Sequence, residues 1–219
     1  MSKSILKESP LARFCLEQRT TPAPIEAGVK VWERAFCGHI NLRGNPSAAD
    51  FLAVARGVLG FELPLDPNTV AGERDSYALW LGPNEWLIVV PGEQEGLVAD
   101  GLRKALHGQF FAVTEVSGGQ TIITLSGQNA RDLLAKGCPL DLHSREFGPG
   151  HCAQSHLAKA PILIRQIDAE PTFELIARRS FADYLWLWLE DASEEYGLAV
   201  INRRNAGPSQ HLVPVRLSA

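Results

Sequence analysis

The stretch "TLSGQNARDLLA" at residues 124–135 repeats a pattern that occurs earlier, in "NLRGNPSAADFLA" at residues 41–53. Each stretch has an apolar residue, one spacer, a glycine, a short gap, Ala-x-Asp, an apolar pair and an alanine. The matching glycines, Gly44 and Gly127, lie 83 residues apart. Solenoid repeats have periods of about 20 to 50 residues, so this spacing indicates a duplicated α+β unit.

The residues that follow each stretch predict the same order of elements. Residues 77–92 form two β-prone runs around Gly82-Pro83-Asn84, which predicts a hairpin, and a helix is predicted at 94–107. In the second half, strands at 157–168 and 171–179 precede a long helix at about 181–196. The apolar side of the 94–107 helix is predicted to carry Leu97, Val98, Leu102 and Leu106.

Helix ends in the two repeated stretches have recognisable signals. Asn45 is predicted to cap the first helix, with Pro46 at its first position. Gly137 is predicted to end the second helix, at about 129–136, in the left-handed conformation, and Pro139 prevents its continuation.

Together these elements predict an α+β fold built from two similar ferredoxin-like β-α-β-β-α halves. The halves are predicted at residues 29–110 and 111–201. Residues 1–28 are predicted to form an N-terminal arm, and residues 202–219 a C-terminal tail.

Composition excludes several classes of function. The 219 residues are 45% hydrophobic and 21% charged, with a net charge of −4, which disfavours nucleic acid as the main partner. No apolar run approaches the roughly 18 residues that cross a membrane, and the N-terminus has no signal-peptide core. We expect a cytoplasmic protein.

The repeated stretch at 124–135 is better explained as scaffold than as a reactive site. A phosphate loop needs several glycines and a lysine placed on the phosphates, whereas this stretch has one glycine and Lys136 sits near the helix end. Cys138 follows the C-terminus of a helix, where the dipole disfavours a thiolate.

Other candidate reactive groups have ordinary explanations. A metal site could combine His151, Cys152 and His156 with Cys37 and His39, but surface-loop histidines and a buried cysteine are favoured. The four cysteines, Cys15, Cys37, Cys138 and Cys152, are expected to be reduced, buried and inert. The carboxylates near the first hairpin, Asp66, Glu73, Asp75 and Glu85, are expected to form a solvated rim. The basic pairs Arg178-Arg179 and Arg203-Arg204 are also expected to be solvated.

The closing helix, "SFADYLWLWLEDASEEYG" at 180–197, is apolar nearly all round. One broad face consists of Phe181, Tyr184, Leu185, Trp188, Leu189 and Ala192. Trp186 and Leu187 point away from this face, which predicts that they contact a partner subunit.

The motifs "LGPNEWLIV" (81–89), "FELIARRSFADYLWLWLEDASEEYG" (173–197) and the block at 125–164 resemble the γ subunit of heterotetrameric sarcosine oxidase. More distantly, the layout is similar to the folate-binding domain of the glycine-cleavage aminomethyltransferase and to the N-terminal domain of the tRNA-modifying GTPase.

The resemblance implies a structural, non-catalytic role in a complex with α, β and δ subunits, with Trp186 facing α or β and the two terminal arms lying on partners. That complex oxidises sarcosine to glycine, forms hydrogen peroxide and can yield 5,10-methylenetetrahydrofolate. FAD, FMN and NAD are expected in α and β, and zinc in δ. No catalytic, cofactor or metal residue is expected in this chain.

The alternative is a free-standing folate-binding one-carbon protein of the same fold. Folate-binding relatives place an acidic residue in the strand pair before the closing helix, whereas "LAKAPILI" offers Lys159 and no carboxylate. Relatives also have a small polar pair where this chain has Arg178-Arg179. These departures predict that the folate pocket is lost. An isolated hydrolase using Cys138 or Cys152 is a third option.

Overall fold

The computed structural model describes residues 7–20, 27–48, 50–73 and 75–201. Within these ranges the chain forms two β-sheets and four α-helices. The predicted α+β class is confirmed. The predicted tail at 202–219 lies outside the described residues.

The larger sheet contains, in spatial order, β11 (Leu198–Val200), β1 (Val29–Arg34), β7 (Gln120–Ser126), β10 (Phe173–Arg178), β9 (Ala160–Gln166) and β8 (Cys152–Leu157). The smaller sheet contains β3 (Val70–Gly72), β4 (Tyr77–Gly82), β5 (Glu85–Val90), β2 (Gly38–Gly44) and β6 (Phe111–Glu115). The helices are α1 (Phe51–Leu59), α2 (Glu95–Ala105), α3 (Ala130–Ala135) and α4 (Ala182–Ala192).

Both sheets contain a ferredoxin-like core. In the smaller sheet, β6, β2, β5 and β4 pair antiparallel in the order of a βαββαβ unit. In the larger sheet, β7, β10 and β9 take the equivalent places, but the fourth place is filled by β1. The first strand of the chain therefore completes the second unit. The predicted division of the chain at residue 110 stays a prediction. The two sheets combine strands from both sides of this position, because β1 pairs with β7 and β6 pairs with β2.

The helices cover only the outer faces of the sheets. Phe51 and Leu102 pack on Trp86 under the smaller sheet, and Leu133 and Leu185 pack under the larger one. A third core, between the sheets, contains the mid-strand residues Leu79, Leu87, Ile122, Leu163 and Ile176. Each such buried side chain contributes about 1.5–3 kcal/mol.

The first helix begins later than the sequence predicts. Asn45 and Pro46 do not start it; the helix begins at Phe51, after Asp50 in the left-handed region (φ 64°). The Asn45 side chain instead accepts a 3.0 Å hydrogen bond from the Ser47 amide. The position of the helix follows from burial of Phe51, whose ring lies 5.9 Å from that of Trp86 and lies against Gly44.

Gly137 does not adopt the predicted left-handed conformation. A Cβ atom at this position would lie 2.6 Å from the Trp188 ring and 3.1 Å from the Ala158 nitrogen. Glycine is therefore required here by the close approach of α4 and the β8–β9 turn, which local sequence cannot reveal.

Two further local predictions are wrong. Leu97 is 78% exposed, because the buried side of α2 is formed by Ala99, Leu102 and the following Leu106. His156, expected on a surface loop, lies instead in the edge strand β8, which pairs with β9. The polar residues Gln154 and His156 make the sequence of β8 unlike that of an apolar strand.

The N-terminal segment 7–20 covers α4 of its own chain. Trp186 is fully buried, and its ring lies 5.9 Å from that of Phe14. Arg13 pairs with Asp183 at 3.1 Å, and Arg19 pairs with Glu190. The prediction that Trp186 faces a partner subunit is therefore wrong, because helical periodicity shows which side of a helix is apolar but not what covers it. Leu187 remains 50% exposed.

Candidate functional site

The two sheets meet through the faces that carry no helices. Side chains alternate between the faces of a strand, so the register fixes which ones lie here. On the larger sheet they form three rows across β8, β9, β10 and β7. The rows are Cys152, Arg165, Glu174 and Thr124; Gln154, Leu163, Ile176 and Ile122; and His156, Pro161, Arg178 and Gln120. The layer thus has a charged end, an apolar middle and a polar end.

The charged end is a cluster of Arg34, Tyr77, Arg165 and Glu174, which we call the charged cluster. Glu174 is fully buried and accepts hydrogen bonds from the Tyr77 hydroxyl at 2.7 Å and from Arg165 Nε at 2.6 Å. Arg34 Nη1 donates to its other oxygen. The Arg165 guanidinium lies 3.3 Å from the Tyr77 ring centroid. Both sheets contribute, since Tyr77 comes from β4 and the others from β1, β9 and β10.

The electrostatics of the charged cluster favour a fixed ionic state. Burial alone would raise the pKa of Glu174, but Arg165 and Arg34 hold it below its ordinary value. Burial and the nearby Glu174 charge raise the pKa of Tyr77 well above its ordinary value. Glu174 is therefore ionised and Tyr77 neutral at physiological pH. With both carboxylate oxygens already bonded, Glu174 is occupied in joining the sheets and is not a free general base.

Glu174 is the residue that sequence reasoning missed. The stretch compared with folate-binding relatives was residues 157–164 alone, which carry no carboxylate. The strand pair before the closing helix is β9–β10, and Glu174 lies in β10. The signal was present: Glu174 and Arg165 are lone charges inside two apolar strands. A buried charge in such a place requires a partner.

The polar end of the layer opens as a cleft of about 720 Å³, which we call the open cleft. Arg178, Gln120 and His156 line it from the larger sheet, and Asn41 and Thr114 from the smaller sheet. Its apolar floor is formed by Leu81, Leu87, Leu163 and Ile176. Arg178 and His156 are exposed, and neither forms an ion pair with any described residue.

The expectation that all four thiols are buried is wrong, because Cys15 is exposed and Cys37 is only partly buried. Cys37, Cys138 and Cys152 lack the surroundings of a nucleophile. Cys138 is buried, with its sulfur 3.8 Å from the Ser155 hydroxyl. Burial raises the pKa of Cys152 to about 12, and its sulfur faces the Thr69 and Trp80 carbonyls. Burial also raises the pKa of Cys37.

The remaining sequence candidates do not converge. Across the described ranges, no group of three or more His, Cys, Asp or Glu side chains could hold a metal ion. Of the hairpin carboxylates, Asp75 lies 3.5 Å from Arg34. Glu85 instead binds Asn41 and Arg43, which lie in β2 of the smaller sheet. Arg178 and Arg179 are exposed as predicted, and Arg203-Arg204 lie outside the described residues.

Comparison with known proteins identifies the family. The model of the sarcosine oxidase, gamma subunit family matches residues 43–195. The chain belongs to this family. The sarcosine oxidase subunit gamma of Corynebacterium sp. (strain U-96) is 32% identical over 197 residues, which cover 90% of this chain and 94% of the relative. The corresponding subunit from Arthrobacter sp. is 33% identical over 87% of this chain and 92% of the relative.

Solved structures agree with the family assignment. A chain of the heterotetrameric sarcosine oxidase from Corynebacterium sp. U-96, solved with pyrrole 2-carboxylate, superposes with a TM-score of 0.78 at 30% identity; the match covers 90% of this chain and 99% of that one. The aminomethyltransferase T of the glycine cleavage system from Bartonella henselae matches at a TM-score of 0.65 and 15% identity, over 90% of this chain and 60% of that one. The latter shows the shared fold alone.

These matches confirm the predicted resemblance to the sarcosine oxidase gamma subunit and the aminomethyltransferase-like fold. They give no support to the alternative of a free-standing folate-binding protein. In the described part of the chain, no helix has the length and apolar character needed to cross a membrane.

Proposed function

We propose that this chain is the γ subunit of a cytoplasmic heterotetrameric sarcosine oxidase and that it serves assembly rather than catalysis. The observation that carries the proposal is the match to a chain of such a complex over 99% of that chain's length. The proposed partners are the α, β and δ subunits. FAD, FMN, NAD and zinc are proposed to reside in those partners.

The side chains of the described residues support a non-catalytic role. Glu174, the buried carboxylate in the middle of the molecule, has both oxygens bound by Tyr77, Arg34 and Arg165. Cys152 is buried, and burial raises its thiol pKa to about 12. General acid–base or nucleophilic catalysis needs a free group of matched pKa in a shared pocket.

The terminal segments are proposed to extend the contact with partner subunits. Residues 7–20 already bind α4 through Phe14, Arg13 and Arg19. We propose that the remainder of the 1–28 arm and the 202–219 tail reach neighbouring subunits.

Co-expression tests the proposal. The tagged chain should be produced with the α, β and δ subunits of its own source and purified through the tag. Native mass spectrometry then measures the mass of the purified species. The expected result is one complex that contains all four chains and carries flavin absorbance. Recovery of the tagged chain alone, under conditions where the other three subunits are soluble, would contradict the proposal.

A further inference from the structure

We infer that the open cleft receives an extended, acidic segment of a neighbouring subunit, an inference that rests on the proposed function. The open cleft is the uncovered end of the layer between the sheets, beyond the row of Ile176 and Leu163. Arg178 is the residue proposed to anchor the segment.

Charge is the first reason. The chain carries a net charge of −4, yet Arg178 lines the open cleft, and Arg179 follows directly in the chain. No described residue forms an ion pair with either arginine. Asn41 and Arg43 already bind Glu85, an acidic side chain of the smaller sheet. The open cleft therefore presents uncompensated positive charge, which complements carboxylates.

The lining of the open cleft suits a polypeptide. Its floor is apolar, from Leu87, Leu163 and Ile176, while Asn41 and Gln120 supply amide groups along its walls. The Gln120 Oε1 atom is buried and has no hydrogen-bond partner among the described residues. It is free to accept a main-chain N–H group. Such alternation of apolar pockets and main-chain partners is how extended peptides are recognised.

The shape favours a segment of a protein over a small molecule. Sites for small ligands typically enclose about 70–90% of the ligand surface. Here Arg178, His156, Gln154 and Thr114 are all exposed although they line the cleft. The site is a groove at the open end of the layer between the two sheets, which a chain can enter and leave. In an assembled heterotetramer, such a segment would come from an adjacent subunit.

The test uses the co-expressed complex and a matched pair of charge reversals. Arg178→Glu should lower the affinity of this chain for its partners by about tenfold or more, because attraction becomes repulsion. Arg145→Glu is the control, since Arg145 is also exposed, lies outside the cleft and forms no ion pair with a described residue. It should assemble like the wild type. Both isolated variants should keep the wild-type thermal midpoint.

A photo-crosslinker placed at Gln154 identifies the occupant. The expected product joins this chain to a segment of α, β or δ that contains several Asp or Glu residues. Equal assembly of Arg178→Glu and Arg145→Glu, or a crosslink to a segment without carboxylates, would overturn the inference while leaving the proposed function intact. Tight binding of glutarate to the isolated chain, if Arg178→Glu abolished that binding, would also overturn the inference, because the cleft would then be a small-acid site. Failure of the wild-type chain to assemble would refute the proposed function itself.

Discussion

The Tyr77 hydroxyl, on the smaller sheet, donates a 2.7 Å hydrogen bond to the carboxylate of Glu174, on the larger sheet. Both residues are fully buried. Since Glu174 also binds Arg165 from β9 and Arg34 from β1, one carboxylate connects three strands of one sheet to the other sheet. This contact therefore joins the two sheets at the charged end of the layer between them.

Glu174→Gln should lower the free energy of unfolding by about 3 kcal/mol, because it removes the buried negative charge that both Arg165 and Arg34 contact. Urea denaturation followed by circular dichroism measures the change. Asp75→Asn is the control, since Asp75 lies 3.5 Å from Arg34 but is 62% exposed. It should cost less than about 1 kcal/mol. Equal effects of the two substitutions would refute a structural role for the charged cluster.

Stability should fall between about pH 6.5 and pH 4 because of His39. This residue is 1% exposed, and burial lowers the pKa of its imidazole from 6.5 to about 4. The unfolded chain takes up a proton near pH 6.5, whereas the folded chain stays neutral down to about pH 4. Acid therefore favours unfolding across this window, by up to about 1.4 kcal/mol per pH unit.

His39→Leu isolates this effect, because it removes the titrating group from its buried position. Its unfolding free energy, measured by urea titration at several pH values, should vary less than that of the wild type between about pH 5 and pH 6.5. Parallel curves for the two proteins would show that His39 is not responsible.

Phe14→Ala should expose Trp186, because the Phe14 ring covers it. The expected results are a red-shifted tryptophan emission and a loss of about 1–3 kcal/mol of stability. Phe110→Ala is the matched control: Phe110 is 94% exposed, so its loss should change stability by less than about 0.5 kcal/mol. An unchanged emission spectrum in Phe14→Ala would mean that the 7–20 segment does not cover α4 in solution.

Gly137→Ala should destabilise the fold by about 1–3 kcal/mol, because the new methyl group would meet the Trp188 ring. Gly96→Ala should instead stabilise the fold. Gly96 lies inside α2, and the position that a methyl group would take there is open space, so alanine is favoured by about 0.5–1 kcal/mol. Thermal unfolding of both variants checks the pair, and stabilisation by both would show that Gly137 is not closely packed.

Sequence was sufficient for features that depend on local pattern. The repeat at 41–53 and 124–135 predicted the duplicated unit, and the Gly82-Pro83-Asn84 turn predicted the β4–β5 hairpin. The motifs at 81–89, 125–164 and 173–197 were enough to suggest the family.

Features that depend on distant parts of the chain were not predictable in this way. Trp186 is buried by a segment about 170 residues earlier in the chain, and Gly137 is constrained by Trp188 on another helix. The exchange of β1 into the second unit has no local signal either. Glu174 is an intermediate case, because its charge within an apolar strand was visible but its partners Tyr77 and Arg34 lie far away in the chain.

The most direct test of the central claim is sarcosine-dependent peroxide release per bound flavin in purified complexes. The complexes would carry this chain as wild type, Cys138→Ala, Cys152→Ala or His151→Ala, with assembly of each verified by native mass spectrometry. An assembly subunit predicts that turnover per assembled complex stays within about twofold of the wild type. A fall of about a hundredfold or more in a fully assembled complex, as removal of a catalytic group produces, would contradict the account.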